Sequence, residues 1–155
     1  MKKFSAILEQ HGILTTRRTP EERTKNHIIA IQKQIQQYIK NGSKGDLDLY
    51  KLPITTLPNN LKNVGGYFNL PYTPITSLPD NLNVGGSLNL AYTSITSLPN
   101  NLNVNGNLNL GNTPITSLPN NLNVNGYINL ENTPISKKYS IYQLKRMLLG
   151  ITGNI

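Results

Sequence analysis

The stretch Gly86–Asn105, GSLNLAYTSITSLPNNLNVN, recurs almost unchanged twenty residues later, and this self-similarity decides the fold. Aligned on its isoleucine, the period gives Ile54, Ile75, Ile95, Ile115 and Ile135. The first interval is one residue longer because Lys62-Asn63 stands where later repeats have a single residue. Every other apolar position also forms a column. Leu57, Leu78, Leu98 and Leu118 are followed by Pro58, Pro79, Pro99 and Pro119, then by Leu61, Leu82, Leu102 and Leu122, then by Val64, Val84, Val104 and Val124. A single coil of this size cannot bury its own apolar side, whereas coils stacked at strand spacing, about 4.8 Å, bury a shared core.

The pairs Leu47/Leu49, Phe68/Leu70, Leu88/Leu90, Leu108/Leu110 and Ile128/Leu130 alternate with polar residues, which is the period of a strand, so five short parallel strand passes are expected. Gly45, Gly66, Gly86, Gly106 and Gly126 precede these pairs and fit a tight bend or close backbone approach. The proline column can neither continue a helix nor donate to a ladder, so the return leg is expected to be extended. Asn60, Asn81, Asn101 and Asn121 suit turns, with side chains bonding nearby backbone.

The run Leu-x-Leu-x-x-Thr-x-Ile-x-x-Leu-Pro, at Leu88–Pro99 and Leu108–Pro119, resembles a short leucine-rich repeat over residues 45–135. The chain departs from the general pattern in having Thr73, Thr93, Thr113 and Thr133 where that pattern has asparagine. The Leu-Pro form is similar to the repeats of secreted bacterial effectors, and closer to repeat proteins of tailed bacteriophages with short helical ends. The resemblance implies a binding scaffold, phage-encoded and acting on a host protein, for example by inhibiting a host enzyme or defence system. Some effectors of this kind carry a cysteine-dependent ubiquitin ligase domain. This chain has no cysteine and cannot do that chemistry.

The ends differ from the middle. Thr19-Pro20-Glu21-Glu22 has the features of a helix start: a cap, proline at the first helical position and a glutamate in capping-box register. The helix should run to Lys40 and stop at Asn41-Gly42, with Ile28, Ile31, Ile35, Tyr38 and Ile39 as an apolar stripe covering the open edge of the first repeat. An earlier short helix is expected over residues 3–10. Ser140-Ile-Tyr-Gln143 is a second capping-box pattern leading into Leu144, Met147, Leu148 and Leu149, with a stop at Gly150. The expected organisation is therefore an N-terminal helical cap (1–44), a leucine-rich-repeat-like solenoid (45–135) and a C-terminal helical cap (136–155), folding as one cooperative unit.

The net charge of +8 is uneven. Residues 1–44 hold nine basic and three acidic side chains, residues 45–135 two basic and four acidic, and residues 136–155 four basic and no acidic ones. Arg17, Arg18, Arg23 and Lys25 at one end and Lys137, Lys138, Lys145 and Arg146 at the other are candidate nucleic-acid contacts, since phosphate attraction needs only clustered positive charge. No base-reading motif accompanies them, and solvated caps explain the same residues.

Catalytic and metal chemistry find little support. Without cysteine there is no disulfide, no thiolate ligand and no cysteine nucleophile. His11 and His27 have no ligand partners at metal spacing, so neither metal nor cofactor is expected. Asp46 and Asp48 alternate with Leu47 and Leu49 and face away from the core, as a solvated edge or a contact for a basic partner. No phosphate loop, nucleophile elbow or triad spacing is present, and no enzymatic activity is expected. Phe4–Gln10 is too short and too soon charged for a signal peptide, and no apolar run reaches membrane-spanning length. The expectation is a protein of the cytoplasm or of a virion.

What remains is the polar strand face and its rim. Tyr67, Ser87, Asn107 and Tyr127 form one column and Asn69, Asn89, Asn109 and Asn129 the next, with Tyr50, Tyr72 and Tyr92 just beyond. Tyrosine with asparagine is a recognition composition, because a stiff amphipathic ring adds contact area at small entropic cost. The partner-binding candidates are Tyr50, Tyr67, Asn69, Tyr72, Asn89, Tyr92, Asn109, Tyr127 and Asn129. The competing account is that these tyrosines only stack between coils. Three functions stay open: a protein-interaction module, a nucleic-acid-associated protein using the basic caps, and a structural virion component.

Overall fold

A computed structural model describes residues 19–140 and 142–144, and the chain is a parallel β-solenoid of coils about twenty residues long, with helical segments at either end. The first helix among the described residues, α1 (Pro20–Lys40), follows the expected bounds. Its start is a reciprocal capping box: the Thr19 N–H donates to Glu22 Oε2 at 2.9 Å and the Glu22 N–H to Thr19 Oγ1 at 3.1 Å. The stop comes at Asn41-Gly42, where Gly42 takes φ +84°. Two compact units divide the chain within this helix, Met1–Ile31 and Gln32–Ile155. The expected helix over residues 3–10 lies outside the described residues.

Among the described residues of the second unit, nine two-residue strands form two sheets. β1 (Leu47–Asp48), β3 (Phe68–Asn69), β5 (Leu88–Asn89), β7 (Leu108–Asn109) and β9 (Ile128–Asn129) pair in that order, all parallel. These are the five expected passes. A second sheet that the alternation did not reveal pairs β2 (Asn63–Val64), β4 (Asn83–Val84), β6 (Asn103–Val104) and β8 (Asn123–Val124). The register joins Leu47 to Phe68 to Leu88 to Leu108 to Ile128, and Val64 to Val84 to Val104 to Val124. Each column of the sequence is thus a physical stack along the axis.

The core is those stacks. Phe68, Leu70, Ile75, Leu82, Leu88, Leu90, Ile95, Leu102, Leu108, Leu110 and Ile115 are wholly excluded from solvent. Thr73, Thr93, Thr113 and Thr133 are also buried, and their hydroxyls donate to the carbonyls of Leu70, Leu90, Leu110 and Leu130 at 2.6–2.7 Å. Threonine therefore closes its own turn, satisfying locally a hydroxyl that would otherwise be costly to bury. The leg bearing the proline column has no helix, as expected.

Close approach explains the glycine column at Gly66, Gly86, Gly106 and Gly126, whereas Gly45 has open space and a left-handed φ of +75°. A Cβ on Gly86 would lie 2.8 Å from the Gly66 carbonyl carbon and 3.0 Å from the Tyr67 nitrogen. These contacts belong to the backbone of the preceding coil.

The ends of the stack are covered within the second unit. Ile35 is wholly buried. Gln32 Nε2 donates to the Thr56 carbonyl at 3.2 Å, and Gln36 and Asn60 exchange a reciprocal amide pair at 3.1 and 3.2 Å. The Tyr38 hydroxyl shares its one proton between the carbonyls of Ser43 and Gly45, at 2.9 and 2.8 Å, and accepts the Gly65 N–H at 3.3 Å. The last turn of α1 is thereby bonded to the first two coils. At the far end a short helix α2 (Pro134–Lys138) begins before the expected boundary at 136, capped by Thr133, whose Oγ1 accepts the Ser136 N–H. The Ser140/Gln143 capping box is present, with reciprocal bonds of 2.8 and 3.3 Å, and Leu144 is buried. Met147, Leu148, Leu149 and Gly150 lie outside the described residues.

Candidate functional site

Two columns of the outer surface have different fates. In the strand column, the side-chain oxygens of Asp48, Asn89, Asn109 and Asn129 accept the backbone N–H two residues on, at Tyr50, Ala91, Gly111 and Glu131, over 2.9–3.2 Å. Asn69 Nδ2 donates to Asp48 Oδ1 at 2.9 Å, and Asn89 Nδ2 to Asn69 Oδ1 at 3.3 Å. Asn69, Asn89, Asn109 and Asn129, expected at a partner surface, have polar groups engaged in holding the coil. Asp46 joins in, its Oδ1 accepting the Tyr67 N–H at 2.6 Å, and Ser87 and Asn107 do the same for Asn107 and Tyr127.

The backbone-bonding turn role assigned to Asn60, Asn81, Asn101 and Asn121 is corrected. Asn60 bonds Gln36, and the other three form a side-chain ladder, Asn101 to Asn81 at 3.0 Å and Asn121 to Asn101 at 2.7 Å. Asn81 and Asn101 carry φ of +57°. Asparagine tolerates this left-handed region better than most residues do, and its amide then bonds the next coil instead of its own turn.

The tyrosines separate into one cluster and two outliers. Tyr50, Tyr72 and Tyr92 come together: Tyr50 meets Tyr72 edge-on at 5.9 Å, and Tyr72 stacks on Tyr92 with centroids 4.5 Å apart and planes 7° apart. Tyr72 and Tyr92 stack from one coil to the next and so stand on edge from the surface, with the Tyr50 ring perpendicular to them. All three remain about half exposed, at 43%, 49% and 50%. Tyr67 lies in the second coil, its hydroxyl donating to Asn69 Oδ1 at 3.1 Å. Tyr127, in the fifth coil, is 65% exposed, with Ser87 and Asn107 occupying the coils between.

Stacking and exposure therefore coexist, and the backbone beneath the rings is unusual. Lys51, Tyr72, Tyr92, Asn112 and Asn132 share one register position, and all five have φ between +56° and +59°. Two coils fill it with asparagine, and Asn132 Nδ2 donates to Asn112 Oδ1 at 3.2 Å. Two others place tyrosine there, a bulky residue for which the conformation costs about 1–2 kcal/mol. Lys51 completes the cluster, its ammonium 4.9 Å from the Tyr50 ring centroid and 5.6 Å from that of Tyr72. Hydrogen bonding to Tyr50 raises the Lys51 pKa above the ordinary lysine range. Lost hydration, with Tyr92 alongside, pushes the Tyr72 phenol up, while Lys51 acts in the opposite sense. Sequence reasoning passed over Lys51, although its register with Tyr72 and Tyr92 was visible.

Of the basic candidates, Arg23 and Lys25 are exposed on α1, and Lys137 and Lys138 are exposed on α2, the latter 5.1 Å over the Tyr139 ring. Arg17, Arg18, Lys145 and Arg146 lie outside the described residues, as does His11. His27 is exposed on α1. Pro20, Glu21, Thr24, Lys25, Ile28 and Ile29 of the first unit line an open cavity of about 510 Å³. Among the described residues no group of three or more histidine, cysteine, aspartate or glutamate side chains is placed to hold a metal ion. No described helix is long and apolar enough to cross a membrane. No family model, curated protein or solved structure matches the chain.

Proposed function

We propose that the chain is a non-enzymatic protein-binding module whose recognition surface is the tyrosine cluster Tyr50, Tyr72 and Tyr92 with Lys51. The observation that carries this reading is the pair Tyr72 and Tyr92, both on left-handed backbone that the same solenoid fills with asparagine two coils away. Local strain retained under half-exposed aromatic rings is a reason to look for function there. Stacking supports the reading, since rings already held by their neighbours lose little freedom on contact with a partner. The finer reading, a phage-encoded protein acting on a host protein in the cytoplasm, rests on the resemblance of the Leu-x-Leu-x-x-Thr-x-Ile-x-x-Leu-Pro run alone.

The test is affinity capture from a bacterial lysate with the wild-type chain and with Tyr72→Asn/Tyr92→Asn, each with and without nuclease. Asparagine suits that backbone, so the variant keeps its coils. A protein retained by the wild type in both nuclease conditions and lost by the variant is the expected outcome. Equal capture by the two chains refutes the tyrosine surface, and capture that vanishes with nuclease moves the function to the basic residues at the ends.

A further inference from the structure

The tyrosine stack has two ends, and the chain closes only one of them. At the first-coil end, Lys51 places its ammonium over the rings of Tyr50 and Tyr72. At the other end, the outer face of Tyr92 looks toward the fourth coil. The position in register there is Asn112, and the residue beside it is Gly111, in line with Tyr50, Pro71 and Ala91 of the earlier coils. Gly111 and Asn112 are fixed by the ladder: the Tyr92 N–H donates to the Gly111 carbonyl at 3.1 Å, and the Asn112 N–H to the Glu131 carbonyl at 2.8 Å. Among the described residues, neither a second ring nor a cation lies on the outer face of Tyr92.

Beyond this step stands Glu131, exposed and one coil further along the column of Gly111. The fourth coil is therefore a shallow notch, with an aromatic face on one side, a carboxylate bearer on the other, and a floor made of Gly111, approached by the Asn109 and Asn129 amides, and the partly exposed Asn112 amide.

Resting on the tyrosine-surface reading, we infer that this notch is a socket for an arginine side chain of the partner protein. A π face beside a carboxylate selects a cation, as Lys51 already illustrates at the opposite end of the stack. The planar guanidinium fits better than an ammonium, because it can lie flat on Tyr92 as the next layer of the stack while its edge forks to the carboxylate. A neutral polysaccharide is a poorer fit at this end of the stack, since Tyr72 and Tyr92 lie face to face and turn their edges outward.

Acetyl-arginine amide is the probe, titrated into the full chain labelled with nitrogen-15 while the backbone amides of Gly111 and Asn112 are followed. Acetyl-lysine amide and acetyl-leucine amide serve as comparisons. Expected are saturable shifts at both amides with arginine, several-fold weaker binding of lysine, and no saturable shift with leucine. Glu131→Gln should weaken arginine roughly fivefold, the scale of one exposed charge contact, and Tyr92→Asn should abolish the saturable shift. Absence of saturation with arginine, or equal affinity in Glu131→Gln, overturns the socket. If arginine fails while Tyr72→Asn/Tyr92→Asn still loses a captured protein, the socket falls alone; if capture is also unchanged, the tyrosine surface falls with it.

Discussion

Replacing Gly86 by alanine should force two coils apart, whereas the same change at Gly111 should leave the stack almost as it is. The new Cβ at residue 86 would stand 2.8 Å from the Gly66 carbonyl carbon, 2.9 Å from its oxygen and 3.0 Å from the Tyr67 nitrogen. All three are backbone atoms, so no side chain can turn away, and ordinary contact requires a separation of about half an ångström. The Gly86 N–H to Gly66 carbonyl and Phe68 N–H to Ser87 carbonyl bonds, both 2.9 Å, then lengthen toward the limit of a useful hydrogen bond. Two weakened rungs at roughly 1 kcal/mol each, with strain from overpacking of a similar size, give a loss of about 3 kcal/mol. For a unit of this length that lowers the melting midpoint by roughly 10–15 °C.

A Cβ added at Gly111 would meet the amide ends of Asn109 and Asn129, at 3.2 and 3.3 Å, and side chains can shift. Alanine already occupies the equivalent position as Ala91, buried in the third coil. Gly111→Ala should change stability by less than about 1 kcal/mol, the restriction of the unfolded chain offsetting the small crowding. Thermal melts followed by circular dichroism separate the two cases. A Gly86→Ala midpoint within about 2 °C of the wild type, or an equal fall for Gly111→Ala, would refute the argument from coil spacing.

Three further outcomes follow from the bonding. Thr93→Val keeps the shape and removes only the hydroxyl that donates to the Leu90 carbonyl at 2.7 Å; urea unfolding should show a loss of about 1 kcal/mol. Asn101→Ala removes both of its ladder rungs and puts alanine at φ +57°, costing about 1–2 kcal/mol in the same assay, and Asn101→Gly should recover the backbone part. Tyr38→Phe should cost about 1 kcal/mol by removing a hydroxyl that supplements the Ser43 and Gly45 carbonyls and the Gly65 N–H, each of which keeps a 2.8 Å backbone bond. Burial raises the Tyr38 phenol above its ordinary range, so the unfolded chain gives up that proton first. The stability this group contributes is intact below about pH 10 and declines as pH climbs toward the folded value, and urea midpoints from pH 8 to 11 should fall less steeply in Tyr38→Phe.

The solenoid was legible because a stack repeats its chemistry: Leu88 sits on Phe68 and beneath Leu108, so the same requirement is written every twenty residues. The second sheet was not, although Leu82-Asn83-Val84 alternates as Leu88-Asn89-Leu90 does, because the proline upstream marked that leg only as an extended return. Asn101 and Asn89 look alike in a sequence, yet the Asn101 oxygen accepts from the next coil and the Asn89 oxygen from its own turn, over different backbone angles. Likewise Thr133-Pro134-Ile135 repeats Thr113-Pro114-Ile115, but only the later copy starts a helix. The tyrosines were identifiable as candidates, whereas the left-handed backbone under Tyr72 and Tyr92 was not, for nothing in the residue type announces it.

Gln32 and Tyr38 of α1 are bonded to the first coils, α2 follows directly on the last, and the coils between them pair with one another through the two sheets. Coil number then behaves as the graduation of a ruler. Duplicating residues 86–105 would insert one more layer, moving whatever follows by about 4.8 Å per copy while leaving the closures at both ends unchanged. A duplication placed between Tyr92 and Asn112 would add a third ring to the parallel stack and carry Glu131 one layer further from the first two. The repeat that builds the core thus also sets, in steps of one coil, the distance between an aromatic face and a charge.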